Sequence, residues 1–350
     1  MKIMVYSGPK QLTVQSAPEL TMKENEVRIR TICSGLSHGT EMSVYRGSAP
    51  FFRRKYDSDT RLFVDADTTE IWQYPIRSCD PGVWYMGYAN VGEVIEIGSD
   101  VKNVKIGDIV CSSAPHQSQV VKVETDVIVL PEGVKPEYGV FFTNLMTTFN
   151  GILDSHIKLG DTVVVMGLGV LGQLVAQMAK MSGAFKVYGI DMFETRLDAA
   201  LENGCDKVFN PVKTSDIAKE IRKLTNNKGA DVVIEVTGNS AALNEAVRIA
   251  APETSVIALS WYQGMIKGLD LSEEFHHNRI GIKQSQTNNI DPALKNLWDD
   301  KRRTQSCLKI LESLKLDNLI THTIPYDEVA SAYEIVDAHP EKAIQVLITY

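Results

Sequence analysis

The chain has 350 residues, 44% hydrophobic and 23% charged, an ordinary globular composition that excludes a disordered or fibrous protein and predicts two domains. Lysine and arginine number 36 against 44 acidic residues, a net charge of −8, and an acidic chain without a long basic run is a poor holder of a nucleic-acid backbone. No apolar stretch approaches the roughly 18 residues of a membrane span, and MKIMVYSG reads as a strand rather than a signal peptide, so a cytoplasmic protein is expected.

Residues 1 to about 125 carry short β-branched runs, VRIRTI, VGEVIEIG, DIVCSS and QVVKVETDVIVL, punctuated by Gly, Pro and Asp. This zone is predicted to be mainly β, a small barrel. The stretch from Pro50 to Tyr85 breaks the rhythm. It holds Phe51, Phe52, Tyr56, Phe63, Trp72, Tyr74, Trp84 and Tyr85, interleaved with Arg53, Arg54, Lys55, Arg61 and Arg77. Aromatic faces beside fork-shaped donors suit a hydroxyl-rich ligand such as a sugar, which makes Phe51, Trp72 and Trp84 candidate substrate contacts. The other reading is a satellite core or an oligomer contact.

Over residues 161–285 the apolar strands DTVVVM, KVYGID, ADVVIEVTG and TSVIALS alternate with helix-period segments, the pattern of a parallel sheet wrapped by helices. Adjacent His276 and His277 make a poor metal pair, because neighbouring side chains point apart; one of them, His276, is a candidate substrate contact. The last 65 residues are mixed. They include a polar helix near Lys301–Leu314, where Trp298 reads as a buried aromatic and Arg302 and Arg303 as a solvated basic face, and a terminal strand AIQVLITY. Cys33, Cys79, Cys111, Cys205 and Cys307 form no C-x-x-C pair, and an odd count predicts reduced thiols.

The strand Asp161–Met166 runs into Gly167-Leu168-Gly169-Val170-Leu171-Gly172, followed by apolar residues at helical spacing. Strand, tight turn and helix start give this G-x-G-x-x-G its meaning: a pyrophosphate seat at a helix N-terminus. The next strand ends at Asp191, 19 residues beyond Gly172, the place of the acid that takes ribose hydroxyls and repels a 2′-phosphate. NAD is therefore the expected cofactor. Arg196 is read as lying over the adenine or ribose edge, and the later strand ends supply Thr237 and Ser260.

These residues resemble the medium-chain dehydrogenase/reductase family over nearly the whole chain. Besides the glycine turn, the likeness rests on Ser34-Gly35-Leu36-Ser37-His38-Gly39-Thr40-Glu41, Asn90-Val91-Gly92-Glu93-Val94 and Leu130-Pro131-Glu132-Gly133. It implies an α/β fold with a GroES-like β-barrel catalytic domain, residues 1–130 completed by 288–350, and a Rossmann dinucleotide-binding domain, residues 131–287. It also implies an active site in the cleft between them and a homodimer or homotetramer, with Thr254–Ser260 and Ile280–Gln286 as candidates for continuing the sheet across subunits. A narrower likeness, in His38-Gly-Thr-Glu41, Ser48-Ala-Pro-Phe51, Glu274-Phe-His-His277-Asn278 and His339-Pro340-Glu341-Lys342, is to bacterial guloside and glucoside 3-dehydrogenases, with sorbitol, threonine and cyclitol dehydrogenases as neighbours.

The departures from the family carry as much information. Zinc alcohol dehydrogenases of the family have a cysteine where this chain has Ser37, a His-Glu pair where it has Tyr88-Ala89, and a further cysteine or acid near Thr143 or Asn144. Catalytic zinc needs three nitrogen, sulfur or carboxylate ligands at about 2.0–2.3 Å and one open position, so the resemblance, with these departures, implies a zinc-free site. Tyr88 is then either the group that faces the substrate or a filler of the vacated volume. His38 has a phosphate-side or relay role or is structural; Glu41, next to Thr40, orients a substrate hydroxyl or pairs with an arginine; Ser37 and Asn144 donate to the substrate oxygen. The expected activity is NAD-dependent interconversion of a secondary ring alcohol and ketone on a sugar, glycoside or cyclitol. The alternatives are a zinc polyol dehydrogenase with displaced ligands, an enone reductase, against which Asp191 argues, and a catalytically silent NADH-binding protein.

Overall fold

In a computed structural model describing residues 1–350, the β-branched run Val163-Val164-Val165 is fully buried, as a strand covered on both faces must be. It lies in Thr162–Met166, the third strand of a six-stranded parallel sheet. The spatial order is Lys207–Phe209, Lys186–Ile190, Thr162–Met166, Val232–Glu235, Ser255–Ala258 and Gly281–Gln284. Alternation along each strand divides the core in two. Val164, Met166, Tyr188, Val233 and Val256 fill one side of the sheet, and Val163, Val165, Val187, Ile234 and Ile257 the other. Strand order reverses beside Thr162–Met166, the switch point of a Rossmann sheet.

This sheet belongs to a compact unit of residues Asn144–Leu319; a second unit is made of Met1–Thr143 and Ile320–Tyr350. The changes of unit thus fall at 143/144 and 319/320, not at the expected 130/131 and 287/288. Residues 288–319 are held to the sheet unit by polar contacts: the Asn150 side-chain amide donates to the carbonyls of Gln286 and Asn289, each at 3.1 Å. The basic face expected near residue 303 is also corrected. Arg303, in helix Asp300–Leu311, is 5% exposed and donates to Asn150 Oδ1 at 3.2 Å, to the Thr287 carbonyl and to Asp300. Trp298 precedes the helix, half-buried against Phe149, with the Arg302 guanidinium over its ring. Of the two candidates for continuing the sheet, Ser255–Ala258 is flanked on both sides, and Gly281–Gln284 is an edge strand, as is Lys207–Phe209 at the other end.

In the other unit the 11-residue strand Glu26–Leu36 organises a seven-stranded sheet: Val127–Val129, Ile109–Ser112, Asn90–Ile97, Glu26–Leu36, Gln345–Thr349 and Ile320–Pro325, with Gln119–Val123 also on Glu26–Leu36. Gln345–Thr349 pairs antiparallel with residues 33–36 and parallel with Ile320–Pro325. A smaller sheet holds Gln11–Ser16, Lys2–Gly8 and Ile76–Arg77. The aromatic excursion is a chain of ring contacts anchored on this unit's core. Tyr85, 6% exposed, stacks on Trp72 at 3.6 Å, Trp72 on Phe51 at 4.6 Å, and Phe51 meets Phe63 at 5.5 Å. All five cysteines are free, four of them buried. No helix is long and apolar enough to cross a membrane.

Candidate active site

The glycine turn is built as the pyrophosphate seat requires. Gly167 takes φ +92°, and a Cβ on Gly172 would lie 1.8 Å from the Gly167 carbonyl oxygen. At Gly169, by contrast, a Cβ would meet nothing nearer than Arg196 Nη1 at 3.9 Å. The space that a side chain would fill is open, at the N-cap of helix Val170–Met181. Val170 and Leu171 form the first turn of that helix, half-buried. The Leu168 N–H donates to Asp191 Oδ2 at 2.7 Å and the Phe193 N–H to Oδ1 at 3.0 Å, so the acid at the second strand's end also fastens the turn. Arg196 Nη1 is 3.7 Å from Asp191 and its guanidinium lies over the Phe193 ring.

Across the switch point, Thr237 closes on the turn: a Cβ on Gly167 would be 2.7 Å from Thr237 Cγ2. Thr237 donates from its amide, at 2.6 Å, and from its hydroxyl to Glu235, a wholly buried carboxyl that also receives the Tyr262 hydroxyl. Burial pushes the Glu235 carboxyl above its usual range, the hydrogen bonds from Thr237, Tyr262 and the Gly238 N–H pulling the other way. Ser260 is buried at the next strand end, its carbonyl accepting from Gln284. A helix N-terminus, an open glycine, and a strand-end acid fit a nicotinamide dinucleotide.

In the other unit Tyr88 Oη donates to Ser37 Oγ at 2.7 Å. Ser37 is buried at 9% exposure, and the Tyr88 carbonyl accepts from Thr143 Oγ1 at 2.9 Å. Burial pushes the Tyr88 phenol well above its ordinary 10, the Ser37 hydrogen bond opposing and the negative charge of Glu41 adding to it. Glu41 corrects an expectation. It pairs with no arginine and has no surface for a substrate: it is fully buried, one oxygen taken by the Ser37 N–H at 2.8 Å, the other by His116 Nε2 at 2.7 Å and Tyr333 Oη at 2.9 Å.

His38 is half-buried in the loop before helix Thr40–Tyr45, whose first residue, Thr40, accepts from Ser43 Oγ at its carbonyl. Asn144 is buried in the Rossmann-type unit, its carbonyl accepting from Thr148. His276 is exposed on the four-residue helix Glu274–His277, where Phe275 is the residue that packs inward. Trp84 is 48% exposed at the end of the aromatic chain, edge-on to Trp72. Sequence reasoning passed over His116, Ser34, Tyr333 and Tyr350. The available signal was His116 itself, the lone titratable side chain besides Cys111 in the uncharged run Cys111–Val121.

The zinc that such folds commonly carry does not suit these residues. No group of three or more His, Cys, Asp or Glu side chains is gathered where it could hold a metal ion. The two positions aligned with ligands, Ser37 and Tyr88, hydrogen-bond to each other.

The sequence profile described as Zinc-binding dehydrogenase matches residues 170–299. D-guloside 3-dehydrogenase of Escherichia coli strain K12 is 30% identical, with all of both chains aligned. Among solved structures, 2R,3R-butanediol dehydrogenase from Bacillus subtilis superposes with a TM-score of 0.79 at 20% identity, covering 100% of this chain and 99% of that one. Galactitol-1-phosphate dehydrogenase from Escherichia coli gives 0.78 at 19%, covering all of both. With its parallel 3-2-1-4-5-6 sheet and its GroES-like companion unit, the chain belongs to the zinc-binding dehydrogenase family of medium-chain dehydrogenase/reductases.

Proposed function

We propose that the protein is a cytoplasmic, NAD(H)-dependent oxidoreductase that interconverts a secondary ring alcohol and its ketone on a sugar, glycoside or cyclitol, without catalytic zinc. The full-length likeness to a guloside 3-dehydrogenase supports the substrate class. The observation that carries the zinc-free reading is the Tyr88 Oη–Ser37 Oγ hydrogen bond. Bound at the glycine turn, the dinucleotide would supply hydride exchange. The chain's own task is to hold the substrate oxygen and its proton. Because Tyr88 gives its hydrogen to Ser37, the Ser37 hydroxyl hydrogen is available for the substrate oxygen. Two linked donors then stabilise a developing alkoxide where a metal would otherwise do so. A phenol pushed above 10 keeps its proton at neutral pH, which suits protonation of the alkoxide in ketone reduction. Asp191 favours NAD over NADP, its charge repelling a 2′-phosphate and offsetting the nearby Arg196. The exposed edge strand Gly281–Gln284 supports assembly as a homodimer or homotetramer, which the solution mass checks.

The test is NADH formation, followed by absorbance, across methyl glycosides, free hexoses, polyols and inositols, each with and without chelator treatment. Turnover of a glycoside that survives the chelator is the expected result; activity lost with the metal sinks the zinc-free reading. Tyr88→Phe is expected to lower kcat about a hundredfold with KM little changed, the size of loss seen when one transition-state donor is removed.

A further inference from the structure

A carboxylate and an imidazole, both fully buried, lie directly behind the Ser37–Tyr88 pair, and nothing in the proposed chemistry uses them. Glu41 and His116 are each at 0% exposure, as is Ser34. A carboxylate only accepts, so His116 Nε2 donates to Glu41 Oε2. A neutral imidazole then accepts at Nδ1 from Ser34 Oγ, 2.7 Å away, and Ser34 Oγ in turn accepts from Tyr350 Oη at 3.0 Å. The donors run in one direction, Tyr350 to Ser34 to His116 to Glu41, and Glu41 ends the series by holding the main-chain N–H of Ser37. Tyr326 braces both ends, stacking on Tyr350 at 4.4 Å and donating to the His116 carbonyl at 2.9 Å.

The same imidazole supports the other member of the pair. Gly87, at φ +120°, presses against it: a Cβ there would lie 2.8 Å from His116 N and 3.0 Å from the ring. The His116 N–H donates to the Met86 carbonyl at 2.9 Å. The residue before Tyr88 is therefore seated on His116, while Ser37 is seated on Glu41. Burying a carboxylate and an imidazole costs free energy that their hydrogen bonds only offset; a site that must be held within a fraction of an ångström gives them a purpose.

We propose that Glu41 and His116, with Ser34 and Tyr350 behind them, are positioning residues that fix the Ser37 and Tyr88 hydroxyls relative to each other. This rests on the reading of that pair under Proposed function. None of the four touches the substrate oxygen in this scheme; they act through Ser37 and Gly87.

A double-mutant cycle on the full chain tests it. Tyr350→Phe keeps the ring on Tyr326 and removes only the hydroxyl; His116→Gln keeps a donor toward Glu41 and loses the link to Ser34. Each is made in the parent and in Tyr88→Phe, with kcat and KM measured on the glycoside turned over best, NADH affinity by fluorescence, and hydrogen exchange at the Ser37 amide. In the parent, Tyr350→Phe should lower kcat about fivefold and His116→Gln about tenfold or more, with KM and NADH affinity unchanged within about twofold. In Tyr88→Phe the further loss should shrink to under about twofold, and the Ser37 amide should exchange faster in both variants. Equal losses in the two backgrounds, a loss confined to KM or NADH affinity, or an unchanged Ser37 amide would overturn the proposal. If His116→Gln fails to fold, Tyr350→Phe carries the test. Should Tyr88→Phe retain the parent kcat, the chemical role of Tyr88 fails, and exchange at the Ser37 amide alone then decides the positioning role.

Discussion

At the scale of single residues, the glycines of one motif have different tasks. A methyl on Gly172 would sit 1.8 Å from a backbone oxygen that cannot swing away, so Gly172→Ala is expected to lower stability by about 3 kcal/mol. A drop in thermal midpoint checks this with no cofactor present. A methyl on Gly169 meets only open space in the free protein. Gly169→Ala should therefore unfold like the parent while NADH binding, titrated by fluorescence, weakens about tenfold to a hundredfold as the methyl takes the phosphate's place. The glycine spacing and Asp191 were legible in the sequence because the turn and its acid are close along the chain. Glu41 was legible only as a candidate, and its partner was not, since His116 is 75 residues away and meets it through sheet pairing that no local pattern encodes.

At the scale of elements, the segment after the edge strand is fastened by one charged cluster. Asp291 receives the Lys283 ammonium and the Ala293 N–H, and His156 Nε2 lies 3.2 Å away. The hydrogen bond from Lys283, with that from Ala293, pulls the Asp291 carboxyl down to about 2 from an ordinary 3.8. A folded value below the unfolded one means stability present above pH about 4 and lost as pH falls through about 2. Lys283 is 38% exposed, so screening limits the contribution to about 1–2 kcal/mol. Asp291→Asn should cost that much at pH 7 and flatten the acid limb of a stability–pH curve; an unchanged limb would contradict the assignment. The alternating strands of this unit follow from their apolar runs, whereas its limits do not. Residues 288–319 stay with it through Asn150 and Arg303, and a buried arginine held by carbonyl oxygens reads in sequence as a solvated one.

At the scale of the whole chain, two units with separate cores account for the fold class expected from rhythm alone: short β-branched runs first, then strand–helix alternation. The aromatic excursion between Pro50 and Tyr85 admitted two readings, and its stacked rings favour packing. Phe52, Trp72 and Tyr74 lie against the buried core, and Trp84 and Tyr56 are left toward solvent. Trp72→Ala, which removes the ring shared by Phe51 and Tyr85, should lower the thermal midpoint by an amount matching about 3 kcal/mol. A midpoint equal to the parent's would return that ring to the ligand reading.

Strand Gln345–Thr349 lies inside its sheet, between Glu26–Leu36 and Ile320–Pro325, although more than 300 residues separate it from the first of these. During synthesis, residues 33–36 of Glu26–Leu36 therefore leave the ribosome with one side unpaired, since Gln119–Val123 covers that side only from Glu26 to Arg30, and they stay so until residue 345 has been made, after residues 144–319 are complete. Folding should begin in that contiguous unit and close last around residue 345, because distant pairings carry the largest loop-closure cost. Pulse-labelled hydrogen exchange during refolding should protect Thr162–Met166 before Glu26–Leu36. In the interval, the open stretch at residues 33–36 is the place where an unfinished chain would capture another strand.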